Sequence, residues 1–400
     1  MKPGFYFNIT LLILTLTTNT VSAGEWSGNF SFQSRNFLSD SAVYINSQHN
    51  QYLSLAAEPE YYHRWDNEKQ SFTFTPFYRL DQHDDERTHG DIREMSWHKI
   101  FDNWELKLGI SKVFWGVTES QHLVDIINQT DQVENIDGED KLGQPMIKAS
   151  IERDWGLIDF FILPGFRERT LTGSEGRPRS VAIPLTNNTL YESEDKDRHI
   201  DYAVRWFNTI GDWDIGLSYF QGTSREPVFL PTLIPIFPPE VIPYYPLIKQ
   251  TGLELQSTTE DWLWKLELIH RKWMDDSFVA TTAGFEYTFY GVFETDADIG
   301  IISEYLYDDR TQYITSIFDN DIMLGMRLAI NDAQSSEVLM GFIIDRDTHE
   351  TLVNIEASKR IGNNWKAELE ARLFNNIKPG SLINDYKTDD FIQLNIAYYF

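Results

Sequence analysis

The last stretch of the chain reads Phe391-Ile392-Gln393-Leu394-Asn395-Ile396-Ala397-Tyr398-Tyr399-Phe400. Every second residue, Ile392, Leu394, Ile396, Tyr398 and Phe400, is apolar or aromatic. Gln393, Asn395, Ala397 and Tyr399 lie between them. Successive side chains of a β-strand point to opposite faces, so this strand has one apolar and one mostly polar side. Such alternation fits a soluble sheet as well as a membrane barrel. The aromatics that close the apolar face fit the barrel better: that face would meet lipid, and its last rings would sit at the membrane–water interface.

The same period recurs back through the chain. Trp26, Gly28, Phe30 and Phe32 begin it, and Trp104, Leu106, Leu108 and Ile110 repeat it. Ile158, Phe160 and Ile162 follow, then Trp262, Trp264, Leu266 and Leu268, then Ile322, Leu324, Met326 and Leu328. No helical period of comparable quality appears. With weaker candidates near Gln51, Asp91, Leu253 and Ala297, the count reaches about eighteen strands. The connections alternate in length. Phe101 to Asn103 is short and Trp115 to Met146 long; Asp154 to Gly156 is short and Arg167 to Arg198 long; Thr209 to Asp212 is short and Ser224 to Lys249 long. Short turns at one end and long loops at the other are the habit of membrane barrels. The expectation is an all-β fold: a transmembrane antiparallel β-barrel of about 16–18 strands, with short periplasmic turns and long outer loops. A fixed repeat period, which a solenoid would show, is absent.

Composition agrees. The chain has 400 residues, 42% hydrophobic and 14% aromatic, with no Cys and a formal net charge of −27. A mean hydropathy of −0.38 argues against a helical membrane protein but not against a barrel, where only alternate residues need be apolar. The lack of Cys suits an oxidising envelope compartment. The negative charge argues against binding nucleic acid. Lys2, the apolar run Phe5 to Leu16 and the small residues Val21-Ser22-Ala23 read as a signal peptide over 1–23, leaving 24–400 as the barrel.

The C-terminal strand resembles the closing strand of Gram-negative outer-membrane β-barrels, in which a terminal Phe, here Phe400, is part of the assembly signal. That resemblance implies outer-membrane lipid and lipopolysaccharide as surroundings and the barrel-assembly machinery as a partner. Trp115, Gly116, Glu119, Asn128 and Asp131 form a Trp-Gly-x-x-Glu … Asn-x-x-Asp element similar to one in bacterial outer-membrane barrel proteins. In general porins the loop after the fifth strand folds inward and narrows the pore. The same position here implies that 115–146 is a constriction loop in a porin-like channel for passive diffusion of small solutes. Seven acids of that loop (Glu119, Asp125, Asp131, Glu134, Asp137, Glu139, Asp140) stand against Lys141. Carboxylate rings favour cations. The candidate constriction set is Glu119, Asp125, Asp131 and Glu134, with Lys107, Arg205, Lys265 and Arg372 on the facing wall.

Three further segments stand out. Within the outer loop 224–249 the stretch 228–247 is apolar, and its six prolines are expected to block regular hydrogen-bonded structure. Packing into the barrel mouth and gathering an apolar solute are both open to it. Arg167, Arg169, Arg177 and Arg179 are expected to pair with the acids of their own loop, Glu168, Glu175, Glu192, Glu194 and Asp195. Asn135 to Asp140 carries calcium-type ligands without the EF-hand spacing, so no metal and no cofactor is assigned. The nine His are scattered and form no catalytic motif, so no enzyme is expected. A hydrophobic-compound transporter and a non-conducting envelope or adhesion barrel remain as alternatives. The sequence leaves open whether several copies assemble.

Overall fold

The computed structural model describes residues 24–42, 48–232, 237–312 and 315–400. The signal-peptide reading of 1–23 and the centre of the Pro-rich loop, 233–236, lie outside these. In chain order the strands are β1 Glu25–Phe37, β2 Gln51–Trp65, β3 Gln70–Asp81, β4 Gly90–Ile100, β5 Glu105–Ser111, β6 Gln144–Arg153, β7 Gly156–Pro164, β8 Ile183–Pro184, β9 Leu190–Tyr191, β10 Ile200–Ile210 and β11 Trp213–Thr223. Then come β12 Val228–Pro231, β13 Glu240–Tyr245, β14 Leu247–Thr259, β15 Trp262–Trp273, β16 Asp276–Phe289, β17 Asp298–Asp308, β18 Asn320–Ala329, β19 Glu337–Asp345, β20 Thr351–Ile361, β21 Trp365–Asn375 and β22 Phe391–Tyr399. Among the described residues, eighteen of these form one antiparallel sheet, and β8, β9, β12 and β13 form a small sheet in the loops. Pairing of β1 with β22, with Phe32 opposite Ile396, closes the large sheet into a barrel. A closed ring leaves no edge strand unpaired, which is what makes a sheet tolerable in hydrocarbon.

The register explains which face is which. Directly paired residues share a face, and the pairs Leu55–Leu80, Phe160–Val204, Leu266–Ala283, Met326–Met340 and Ile355–Ala371 put apolar side chains on the outside. Leu55 is 58% exposed, Leu324 48% and Phe160 47%. A continuous band of such residues is expensive in water and is what hydrocarbon requires. Trp26, Trp104, Trp155, Trp213 and Trp365 ring the turn end and are exposed. Tyr78, Tyr202, Tyr219 and Tyr307 ring the loop end. No helix among the described residues is long and apolar enough to cross a membrane.

Four connections depart from strict alternation. At the loop end β19 and β20 are joined by residues 346–350 alone, and at the turn end β18 and β19 are joined by residues 330–336. β15 and β16 are joined at the loop end by Met274-Asp275 alone, and β16 and β17 are joined at the turn end by residues 290–297. The rim is therefore low at β15–β16. The apolar core lies inside the barrel, where Trp115, Val124, Ile126 and Ile127 of the β5–β6 loop pack on Phe161, Phe220, Ile248, Ile269 and Trp273 of the wall.

The Pro-rich loop corrects its sequence expectation. Val228–Pro231 and Glu240–Tyr245 form an antiparallel pair, and β8 and β9 add to β13 in parallel. The Thr232 N–H donates to the Glu240 carbonyl. Bonded and non-bonded pairs alternate in such a ladder, so Pro231 and Pro243 fall where that ladder needs no N–H.

Candidate functional site

The β5–β6 loop, residues 112–143, leaves the wall early because β5 is only seven residues long. Asn128 fastens its two legs. Its Oδ1 accepts the Val113 N–H at 2.9 Å, and its Nδ2 donates to the carbonyls of Ser111 and Leu142, each at 2.9 Å. Gly143 returns the chain to the wall: a Cβ there would lie 2.0 Å from the Ile92 carbonyl oxygen. Gly116 has a similar reason, since a Cβ would lie 2.3 Å from the His122 imidazole.

On the near side the loop is held by arginines. Glu134 accepts Arg79 through Nε at 2.8 Å and Nη2 at 2.6 Å, and both side chains are buried. Asp131 meets Arg93 at 2.7 Å and His89 at 3.1 Å and accepts the Thr170 hydroxyl at 2.7 Å. Burial alone would raise the Asp131 carboxyl. The His89 hydrogen bond and the Arg93 charge outweigh it and hold the group down at about 2.

On the far side the wall supplies the carboxylates and the loop the amides. Glu267 of β15 accepts the N–H groups of Val117 (2.7 Å), Thr118 (3.0 Å) and Val124 (3.1 Å). Glu304 of β17 accepts the N–H groups of Glu119 (2.7 Å) and Ser120 (2.8 Å) and the Ser120 hydroxyl. Further along, Asp137 meets Arg372 of β21 at 2.7 Å. β4 and β17 are nine strands apart in a ring of eighteen, so the loop joins opposite walls. His122 sits between Glu139 at 3.3 Å and Glu267 at 3.5 Å. Burial would lower its basicity; the two neighbouring carboxylates, Glu139 and Glu267, outweigh that and raise it to about 10.

The eight sequence candidates fall into three groups. Glu119 and Arg372 line a hollow of about 1050 Å³ on the loop-end side of the β5–β6 loop. Glu119 also faces Arg327 at 2.7 Å and Lys265 at 3.5 Å, so three of the eight meet there. Lys107 pairs with Glu94 at 2.9 Å and Arg205 with Glu254, both on the inner wall. Asp131 and Glu134 are corrected: both are buried in arginine pairs and present no carboxylate to open lumen. Asp125 is likewise turned inward, its Oδ1 accepting the N–H groups of Trp115 at 2.6 Å and Gly116 at 3.1 Å. Asp137 and Glu139 face separate partners, Arg372 and His122, and among the described residues no group of three or more His, Asp or Glu is placed to hold a metal ion.

The arginine expectation is also corrected. Arg167 pairs with Asp91 of β4 at 2.6 Å and Arg177 with Asp389 at 2.6 Å, neither in their own loop. Arg169 and Arg179 donate to backbone carbonyls instead. Sequence reasoning missed Glu304 and the arginines of β3 and β4. Glu304 carries a legible signal: it is the one charge between Ile299 and Tyr307, in a run that is otherwise apolar or neutral.

No family model matches the chain, and no curated protein is similar to it. Solved structures do align. A BenF-like porin from Pseudomonas fluorescens Pf-5 matches with a TM-score of 0.52 at 9% identity, over 94% of this chain and 97% of that one. A triple mutant of the Rhodopseudomonas blastica porin matches at 0.44 and 10% identity, over 94% and 100%, too loose an alignment to add to the argument. The fold is that of a bacterial porin barrel.

Proposed function

We propose that this barrel is a porin-type channel of the bacterial outer membrane, narrowed by residues 112–143 and passing small solutes by passive diffusion without catalysis. The observation that carries this reading is the loop itself. It ties opposite walls together yet leaves a hollow of about 1050 Å³ beside it. A ring of eighteen strands is too wide for its wall side chains to fill. A signal peptide over 1–23 would export the chain, and the assembly machinery would read its C-terminal strand.

The sign of the preferred ion is read from the turn end. The loop acids Asp131, Glu134 and Glu119 are neutralised by arginines, so they carry little of the field. The inner wall near the turns holds Glu60, Glu105, Glu152, Asp214, Glu337 and Glu368 against Arg64, Arg360 and Lys366, with Lys366 2.7 Å from Glu368 and His98 3.0 Å from Glu105. That surplus supports a cation preference. Planar-bilayer recording of the refolded chain under a salt gradient tests both parts. Conducting steps with a cation-selective reversal potential are expected. Anion selectivity would remove the reading of the sign, and silence from a folded barrel would remove the channel.

A further inference from the structure

We infer that the hollow at the loop end is a binding station for organic anions with an apolar body, the body held by the inner wall of β18–β20 and the anionic end by Arg169 and Arg179. This deepens the channel reading by naming a class of solute, and it rests on that reading only for what happens after capture.

The first observation is the wall. A porin lumen is ordinarily polar. Here Leu339 and Ile343 of β19 and Leu352 of β20 line the hollow, on a barrel face that elsewhere carries charges. Val228 and Leu230 of β12 and Ile383 of the β21–β22 loop line it too. Apolar side chains converging on a hollow with a few polar groups among them are the usual make-up of a small-molecule site.

The second observation is the charge left over. The acids lining the hollow are spoken for: Glu119 by Arg327, Asp137 by Arg372, Glu139 by His122, and Glu226 by both Arg271 (2.8 Å) and Arg310 (2.9 Å). Glu356 at 3.9 Å and Glu370 at 2.5 Å share Arg372 with Asp137, so this corner of the hollow stays acidic and lies apart from Arg169 and Arg179. The two arginines differ. Arg169 donates through Nη2 to the Arg225 carbonyl at 2.8 Å and through Nε to Gln129 Oε1 at 3.4 Å. Arg179 donates through Nε to the Ser180 carbonyl at 3.0 Å and through Nη1 to those of Ser174 at 2.7 Å and Gly173 at 3.2 Å. Among the described residues no carboxylate lies within 4 Å of either guanidinium, and Arg169 Nη1 and Arg179 Nη2 donate to nothing. A guanidinium offers a rigid fork that matches a carboxylate. Carbonyl partners fix the two forks in place without neutralising them, so each guanidinium keeps its charge and a free N–H for a visitor's carboxylate.

Small-ion preference and this retention act at opposite ends of the lumen. The acidic surplus is near the turns, and the two free guanidiniums are in the mouth.

The test uses 4-phenylbutyrate as the probe, with 4-phenylbutanol supplying the same body without charge and butyrate the charge without the body. Added on the loop side in bilayer recordings, 4-phenylbutyrate is expected to interrupt the current at concentrations where the other two do not. Arg169→Gln and Arg179→Gln should each raise the blocking concentration by about tenfold, the scale of one charge-assisted hydrogen bond. Leu339→Asn should weaken block through the apolar side. Equal block by the alcohol or by butyrate would overturn the inference, as would Arg variants that block like the parent. If Arg179→Gln does not fold, Arg169→Gln and Leu339→Asn decide. Calorimetric titration of the nanodisc-embedded barrel with the same probe separates the two ideas. Conductance without probe binding overturns the station and leaves the channel. Binding without conductance keeps the station and overturns the channel.

Discussion

Glu267 Oε1 lies 2.7 Å from the backbone nitrogen of Val117, a residue 150 positions away in the chain. The same carboxylate serves Thr118 and Val124, so one wall side chain ends three amides that the loop cannot satisfy itself. Hydrogen bonds to charged groups contribute about 1.5–3 kcal/mol each, though not additively. Glu267→Ala should therefore release the loop tip while the barrel stays folded. Single-channel traces of the variant are expected to flicker, and a protease of broad specificity should cut within 117–124. Quiet traces and an uncut loop would contradict this anchoring.

Arg79 and Glu134 make a second, buried anchor. Removing one partner of such a pair typically costs about 3–5 kcal/mol, because the other charge is left dry and alone. Arg79→Met should lower stability in urea unfolding by that order, and Arg79→Met combined with Glu134→Gln should recover part of it. A double variant no better than the single would show that the pair's geometry, not its charge balance, matters.

The anchors also set a pH window. Asp131 is held down at about 2, below its unfolded value of 3.8, so its contribution is present above that unfolded value and lost as pH falls through about 2. His122 is raised to about 10, above its unfolded value of 6.5, so its contribution is full below that value and lost as pH rises through about 10. Loop protection from protease should be flat between about pH 4 and pH 6.5 and fall off on both sides. His122→Gln should abolish the alkaline fall and leave the acid one.

Phe400 stacks on Phe30 with centroids 5.3 Å apart, and its N–H donates to the Gly28 carbonyl at 3.1 Å. Deleting Phe400 removes the last contact across the β1–β22 seam. Cells should accumulate less heat-modifiable barrel in the outer membrane, with more unassembled chain in the periplasm. Normal assembly of the deletion would end the reading of this residue as part of the assembly signal.

Much of the fold was legible because a barrel strand has an unambiguous outside. β15 and β22 alternate cleanly, since lipid demands apolar residues at every outward position. β2 and β14 were hard to read because their inner faces carry Tyr52, Ala56 and Ile248, which pack on the seam and the loop and blur the alternation. The candidate site was legible in position but not in role. Asp131 and Glu134 looked like lumen charges because sequence does not say which residue will oppose a carboxylate. Their partners Arg93 and Arg79 lie 38 and 55 positions away, on the neighbouring wall. The hairpin of β12 and β13 was hidden by prolines whose missing N–H groups happen to face away from the ladder.

The way the β5–β6 loop is seated has a mechanical meaning. A flap hinged at one root swings under a small force. A strut fixed at Arg79 and Arg93 on one wall and at Glu267 and Glu304 on the other must break several bonds before it bends. The membrane field therefore pulls on a strut, and the bore should keep one width across ordinary voltages.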